Sequence, residues 1–205
     1  MKSEVIGYLP SVDAAIAILQ REESRVFVRY CQKLQIARGG AIPLRSDFDP
    51  SCVTACLPYM VIMDCKDPQN PVYRLAGTRY VDAIGINPTG KSYLSFVPEQ
   101  RQAAAVTSYV TCMSIGCGMV TELVSVTDKG KEQIQEVVNF PILDDVTGAP
   151  RYLYVTCLPL KTSDWSDNPG RFSKYTVVNR RLFLDVGHGV PTEYRSAPVT
   201  LWVGS

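Results

Sequence analysis

The sequence predicts an α+β domain built on a five-stranded antiparallel sheet with helices on one face and helical segments ahead of it. Three observations carry this. YMVIMDC (59–65) and VYRLAGT (72–78) flank Asp67–Pro68–Gln69–Asn70–Pro71, a turn on composition, so they form a hairpin. Gly118–Thr127 and Glu132–Leu143 flank Asp128–Lys129–Gly130, a tight hairpin signal, and Arg151–Leu160 adds a further strand. Pro98–Ile115, with Pro98 suited to a first turn and Gly116 past the end, is the main helix between the two blocks. Two hairpin blocks joined through helices make one antiparallel sheet with a buried face.

Ahead of the sheet, the first thirty-odd residues read as helical. Ser11 caps AAIAIL, with Asp13 in the first turn, and Ser24 caps a second helix. In that helix Phe27, Tyr30, Cys31 and Leu34 recur at i, i+3, i+4 and i+7, an apolar stripe ending at Gly39–Gly40. The stripe fits either the domain's own sheet or a second copy of the chain. Residues 41–58 are loop-like, and Arg79–Ile84 is a short helix ending at Gly85. Trp165–Gly170 is a loop, Tyr175–Asp185 is strand-like, and the last stretch, with Pro191 and Pro198, is irregular. The expected organisation is a helical extension over 1–37, a domain over 38–160 and a C-terminal extension over 161–205.

Composition narrows the function. A hydrophobic content of 46% with 20% charged residues belongs to a globular chain. A net charge of +1 and a basic cluster no larger than Arg180–Arg181 argue against nucleic acid as a partner. No segment has the roughly 18 apolar residues of a membrane span, and no secretory signal opens the chain, so a cytoplasmic protein is expected. Seven cysteines, an odd number lying within apolar runs, fit a reducing compartment and argue against a disulfide framework.

RGGAIPLRSDFDP (38–50), LPYMVIMD (57–64), YRLAGT (73–78) and Gly85…Thr89–Gly90 occur in an order and spacing that resembles the bacterial PAS family. The likeness covers roughly residues 25–160. RRLFLDVGHGVP (180–191) resembles a closing segment in some of these proteins, with His188 where a small residue is usual. The resemblance implies a five-stranded antiparallel sheet cupping a small-molecule pocket beneath its helices. It also implies a sensory or adaptor role, without deciding between them.

The candidate pocket residues are Arg74, Thr78, Tyr93, Phe96, Thr121, Leu123, Tyr154 and Thr156. Arg74 is either a receptor for an anionic ligand or the ion-pair partner of Asp64 or Asp82. Gly77 serves the bend after the strand, and Thr78 caps the short helix near Val81. The alternating strands carrying Thr121, Leu123, Tyr154 and Thr156 offer an apolar wall with a few hydroxyls, which suits a pocket or a filled core. Tyr93 and Phe96 cover it from the helical side. The cofactor is unknown: there is no haem, flavin or metal signature. The only histidine, His188, stands in a glycine-rich turn, no cysteine has an asparagine–cysteine–arginine context, and Cys52 and Cys56 lack a completing pair. No nucleophile–base constellation stands out, so an enzyme is not expected. The leading expectation is a sensory module binding a small organic molecule and signalling to a downstream protein, as a homodimer and away from membranes. The alternative is a ligand-free adaptor that mediates protein–protein interaction.

Overall fold

A computed structural model describes residues 4–127, 132–160 and 172–194. The Asp128–Lys129–Gly130 turn, the Trp165–Gly170 loop and the stretch around Pro198 lie outside the described residues. The elements run β1 (Val5–Leu9), α1 (Val12–Ile18), α2 (Glu22–Ala37), β2 (Met60–Asp64), β3 (Val72–Ala76), α3 (Thr78–Ile84) and α4 (Glu99–Ile115). They continue through β4 (Gly118–Thr127), β5 (Glu132–Leu143), β6 (Pro150–Pro159) and β7 (Phe172–Leu184). The class is α+β, and the strands form one sheet in the order β1-β7-β4-β5-β6-β2-β3.

That sheet has seven strands where five were expected. The five expected strands are β2–β6, paired antiparallel as anticipated. The two extra strands lie at one side. β7 pairs antiparallel with β4, and β1 pairs parallel with β7, Val5 opposite Arg180 and Leu9 opposite Leu184. The residues preceding α1 are therefore strand, not helix. Their partner lies at the other end of the chain, which local periodicity cannot reveal.

Both faces of the sheet are covered. α3 and α4 pack on the face carrying Val61, Met63, Met119, Leu123, Leu153 and Val155. α1 and α2 pack on the other, against Val120, Val138, Phe140, Ile142, Tyr154 and Leu182. Phe27, Val28 and Cys31 of α2 are fully buried there, each large apolar side chain contributing about 1.5–3 kcal/mol. The α2 stripe thus lies on the domain's own sheet, and any pairing with a second copy uses another surface.

Caps explain where the helices begin and end. Ser11 Oγ accepts from Ala14 N at 3.1 Å, as expected for α1. Ser24 does not cap α2: the helix begins at Glu22, and Ser24 is buried inside it. The carboxylate of Glu136 on β5 does this work instead, accepting from Gln20 N at 2.6 Å and Arg21 N at 3.2 Å. An anion from the sheet at a helix N-terminus satisfies free amides and opposes the dipole. Thr78 is likewise the first helical residue of α3, capped by no side chain. Gly77 is the N-cap, and a β-carbon there would overlap the carbonyl oxygens of Leu57 and Pro58. α4 ends at Gly116 in the left-handed region, φ +76°, with its N–H on Cys112 O, a conformation glycine adopts without the usual side-chain penalty.

The tail after β7 is held in place by side chains. Asp185 Oδ1 accepts from Gly187 N at 2.8 Å and Gly189 N at 3.0 Å. The buried Gln35 donates to Val186 O and, at 3.1 Å, to Gly40 O. His188 is exposed in this turn.

Candidate functional site

A cavity of about 70 Å³ lies between α4 and the sheet, lined from β2, β4, β5, β6 and β7 and by α3 and α4. A single water needs about 10–15 Å³ on this scale, so the space holds a few waters or a compact ligand body. Alternation decides what reaches it. On β4, Thr121 and Leu123 point inward with Met119, and on β5, Val137 and Asn139 do so. On β6 the inward residues are Val155 and Cys157.

The expected site residues divide accordingly. Tyr93, Thr121 and Leu123 line the cavity. Phe96 stands just behind it, edge-on to Tyr73 with ring centroids 5.5 Å apart. Tyr154 and Thr156 lie on the opposite face, where Tyr154 packs edge-on against Phe48 at 4.7 Å and Thr156 stands opposite Met60 and Val138. Thr78 is exposed at the start of α3. Arg74 is exposed on the edge strand β3, in a surface groove with Asp64 and Lys66. Asp64 is engaged by Arg151, Nε to Oδ1 at 3.1 Å and Nη2 to Oδ2 at 2.9 Å. That fork lowers the Asp64 carboxyl against the opposing effect of burial, and Arg74 adds a smaller charge effect.

Four tyrosines line the cavity, Tyr73 from β3 and Tyr80, Tyr93 and Tyr109 from the helical side. Tyr73 and Tyr80 share a hydroxyl–hydroxyl hydrogen bond of 2.9 Å, and Tyr93 and Tyr109 have centroids 5.2 Å apart. Burial pushes Tyr73 and Tyr109 well above the usual phenol range. It raises Tyr93 to about 12, with the positive charges of Arg181 and Arg101 pulling the other way. Both arginines line the cavity. Arg181 is buried, its Nη1 donating to Ala104 O at 3.1 Å and to Ser108 Oγ on α4.

Two polar atoms in the cavity wall, Thr121 Oγ1 and Arg181 Nε, stand without partners. Thr121 Oγ1 is buried with no hydrogen bond. The Asn139 side chain, 3% exposed, lines the cavity beside Thr121. Burial raises the Cys157 thiol to about 12, and its Sγ donates to Gln135 Oε1 at 3.2 Å. No cluster of three metal-ligating side chains occurs among the described residues.

Sequence reasoning missed Arg101, Ser108, Asn139 and Arg181. Arg180–Arg181 was visible only as a pair of charges. In a strand, adjacent residues point to opposite faces, and that alternation is the one signal that singles out Arg181.

A mostly antiparallel sheet with a partly polar cavity beneath its central helix defines a class of small α+β modules that can enclose a ligand. A family model described as PAS domain matches residues 19–153, and the chain belongs to the PAS-domain family. The family expected from the sequence is thereby borne out. Among solved structures, the chain is similar to the Rhodobacter sphaeroides LOV protein, with 14% identity, TM-score 0.41, 53% of this chain covered and 61% of that one. A solved RsLOV variant gives 16% identity, TM-score 0.40, 56% of this chain and 69% of that one. The chain thus spans under two thirds of the first of these. No curated protein matches it. No helix among the described residues is long and apolar enough to cross a membrane.

Proposed function

We propose that this PAS module is a sensory domain that binds a small organic ligand in the cavity beneath α4 and passes the signal to another protein. The observation that carries this is the buried hydroxyl of Thr121, which faces the partly polar cavity beside Asn139 and has no hydrogen-bond partner. A buried polar group left unsatisfied costs about 1–3 kcal/mol, and a ligand offering hydrogen bonds removes that penalty. Ligand binding then favours one arrangement of the elements around the cavity over another. The role is non-catalytic, since the cavity thiol stays protonated and the imidazole of His188 lies in an exposed turn. Six buried free cysteines fit a reducing, cytoplasmic setting.

Native mass spectrometry of the purified protein, with a thermal-shift screen of small metabolites, tests the proposal. A co-purified mass or a compound that raises the melting temperature is expected. A bare mass and a flat screen would remove its support. The ligand-free adaptor is favoured by one observation: about 70 Å³ is well below the roughly 300–1,000 Å³ of pockets for drug-sized ligands. Under that reading a protein partner, or a second copy forming a homodimer, binds with no small molecule present.

A further inference from the structure

Arg181 is buried in the cavity wall, yet its hydrogen bonding is lopsided. Nη1 is fully used by α4, through Ala104 O and Ser108 Oγ. Nε is buried with no partner. Nη2 lies 3.1 Å from Oε1 of Glu4, but that oxygen makes no properly directed hydrogen bond. The Nε–Nη2 edge is the fork a carboxylate engages with two parallel bonds, and here it is only half met.

Glu4 reaches this place from outside the domain's central sheet. It immediately precedes β1, whose parallel register sets Ile6 opposite Arg181. Alternation puts Glu4 on the same face as Ile6 and Tyr8, which pack on the α4 side. Its second oxygen, Oε2, accepts from Arg101 Nη2 at 3.1 Å. Among the described residues Glu4 is the only carboxylate within ion-pair distance of either arginine. Two guanidiniums against one carboxylate leave a net positive charge beside a largely apolar cavity that carries one further unpartnered group, the Thr121 hydroxyl.

Resting on the ligand-binding reading above, we infer that the ligand is a small organic carboxylate, and that Glu4 occupies its carboxylate's place in the ligand-free domain. An incoming acid sets its planar head on the Nε–Nη2 fork of Arg181 and beside Arg101, with its apolar body toward Val155, Val178 and Leu123. Glu4 is displaced, and the start of the edge strand β1 loses its tie to α4. A planar monoanion suits this fork better than a tetrahedral dianion, and the walls suit a hydrocarbon body better than a bare ion.

The test uses the full chain with butyrate and hexanoate, their uncharged counterparts butyramide and hexanamide, and inorganic phosphate, read by calorimetry and thermal shift. At least one acid should bind, with its amide at least tenfold weaker. Glu4→Gln should tighten the acid about tenfold by removing the competing charge, and Arg101→Gln should weaken it about tenfold while leaving amide binding unchanged. Arg101→Gln is independent of any effect of Glu4→Gln on folding. Equal binding of acid and amide, or tighter binding of phosphate, overturns the carboxylate assignment. So does unchanged acid affinity in Glu4→Gln. If neutral metabolites bind and no acid does, the assignment falls and the cavity reading stands. If acids, amides and metabolites all fail, both fall.

Discussion

Thr121 and Thr156 form an internal control for what the cavity does. Each carries a buried hydroxyl with no hydrogen-bond partner, and each sits in a central strand, Thr121 5% and Thr156 0% exposed. They face opposite sides of the sheet: Thr121 the cavity, Thr156 the layer under α2. Valine replaces the hydroxyl by a methyl of similar size and is favoured in strands. Removing an unsatisfied buried hydroxyl recovers about 1–3 kcal/mol, and each kcal/mol moves the melting temperature about 2–4 °C in a chain of this length. Thr156→Val should therefore raise it by several degrees and leave ligand affinity untouched. Thr121→Val should raise it by a similar amount in the ligand-free protein, and should weaken ligand binding. Thermal unfolding with and without ligand reads both effects. Loss of stability in Thr156→Val, or an equal change of ligand affinity in the two variants, would refute the reasoning.

Three further predictions follow from contacts outside the cavity. Gly77→Ala should lower stability by about 1–3 kcal/mol, since the added carbon meets the backbone oxygens of Leu57 and Pro58; urea unfolding measures this. Glu136→Gln should cost about 0.5–2 kcal/mol by weakening the cap on α2, with amide exchange accelerated first at the start of that helix. Arg151 holds Asp64 and also Asp144, Nη1 to Oδ2 at 3.0 Å, and both carboxyls are lowered, Asp64 chiefly by Arg151 and Asp144 chiefly by the Thr147 backbone N–H. A lowered carboxyl stabilises the fold above its unfolded value and loses that contribution as pH falls through its folded value. Unfolding should therefore steepen below about pH 4. Arg151→Gln should reduce stability at neutral pH and flatten this acid limb, and an unchanged limb would show that Asp64 does not depend on Arg151.

The middle of the fold was legible because its information is local. β2–β6 and α4 emerge from turns, a terminal glycine and alternation within a few residues of each element, and their bounds agree with the structure to within a residue or two. β1 was not legible, because VIGYL pairs with a strand near the other end of the chain. The cap on α2 escaped for the same reason: Ser24 has the right chemistry, but the anion that serves the helix comes from Glu136 across the core.

The site was half legible, and its error has a definite cause. Alternation sorted β6 correctly into two sets but cannot say which set faces the cavity. Polarity usually decides between faces. Here α2 covers one and α4 the other, so Tyr154 and Cys157 are both buried, and the hydroxyl-bearing set was the tempting one.

The ends of the chain matter more to the cavity than the family match suggests. Residues 19–153 contain α4, Arg101, Ser108, Thr121 and Asn139. Glu4, Val178 and Arg181 lie outside that span, on or beside β1 and β7. Arg181 joins the two parts, because one guanidinium is bonded to α4 through Nη1 and lies against Glu4 through Nη2. A change in what occupies that second edge is felt at once by the helix over the cavity and by the strand at the sheet's edge. α4 is packed into the core and β1 has one strand neighbour. The element with fewer contacts to break moves first, so under the proposed ligand-binding reading the N-terminal strand is the element expected to report occupancy of the cavity.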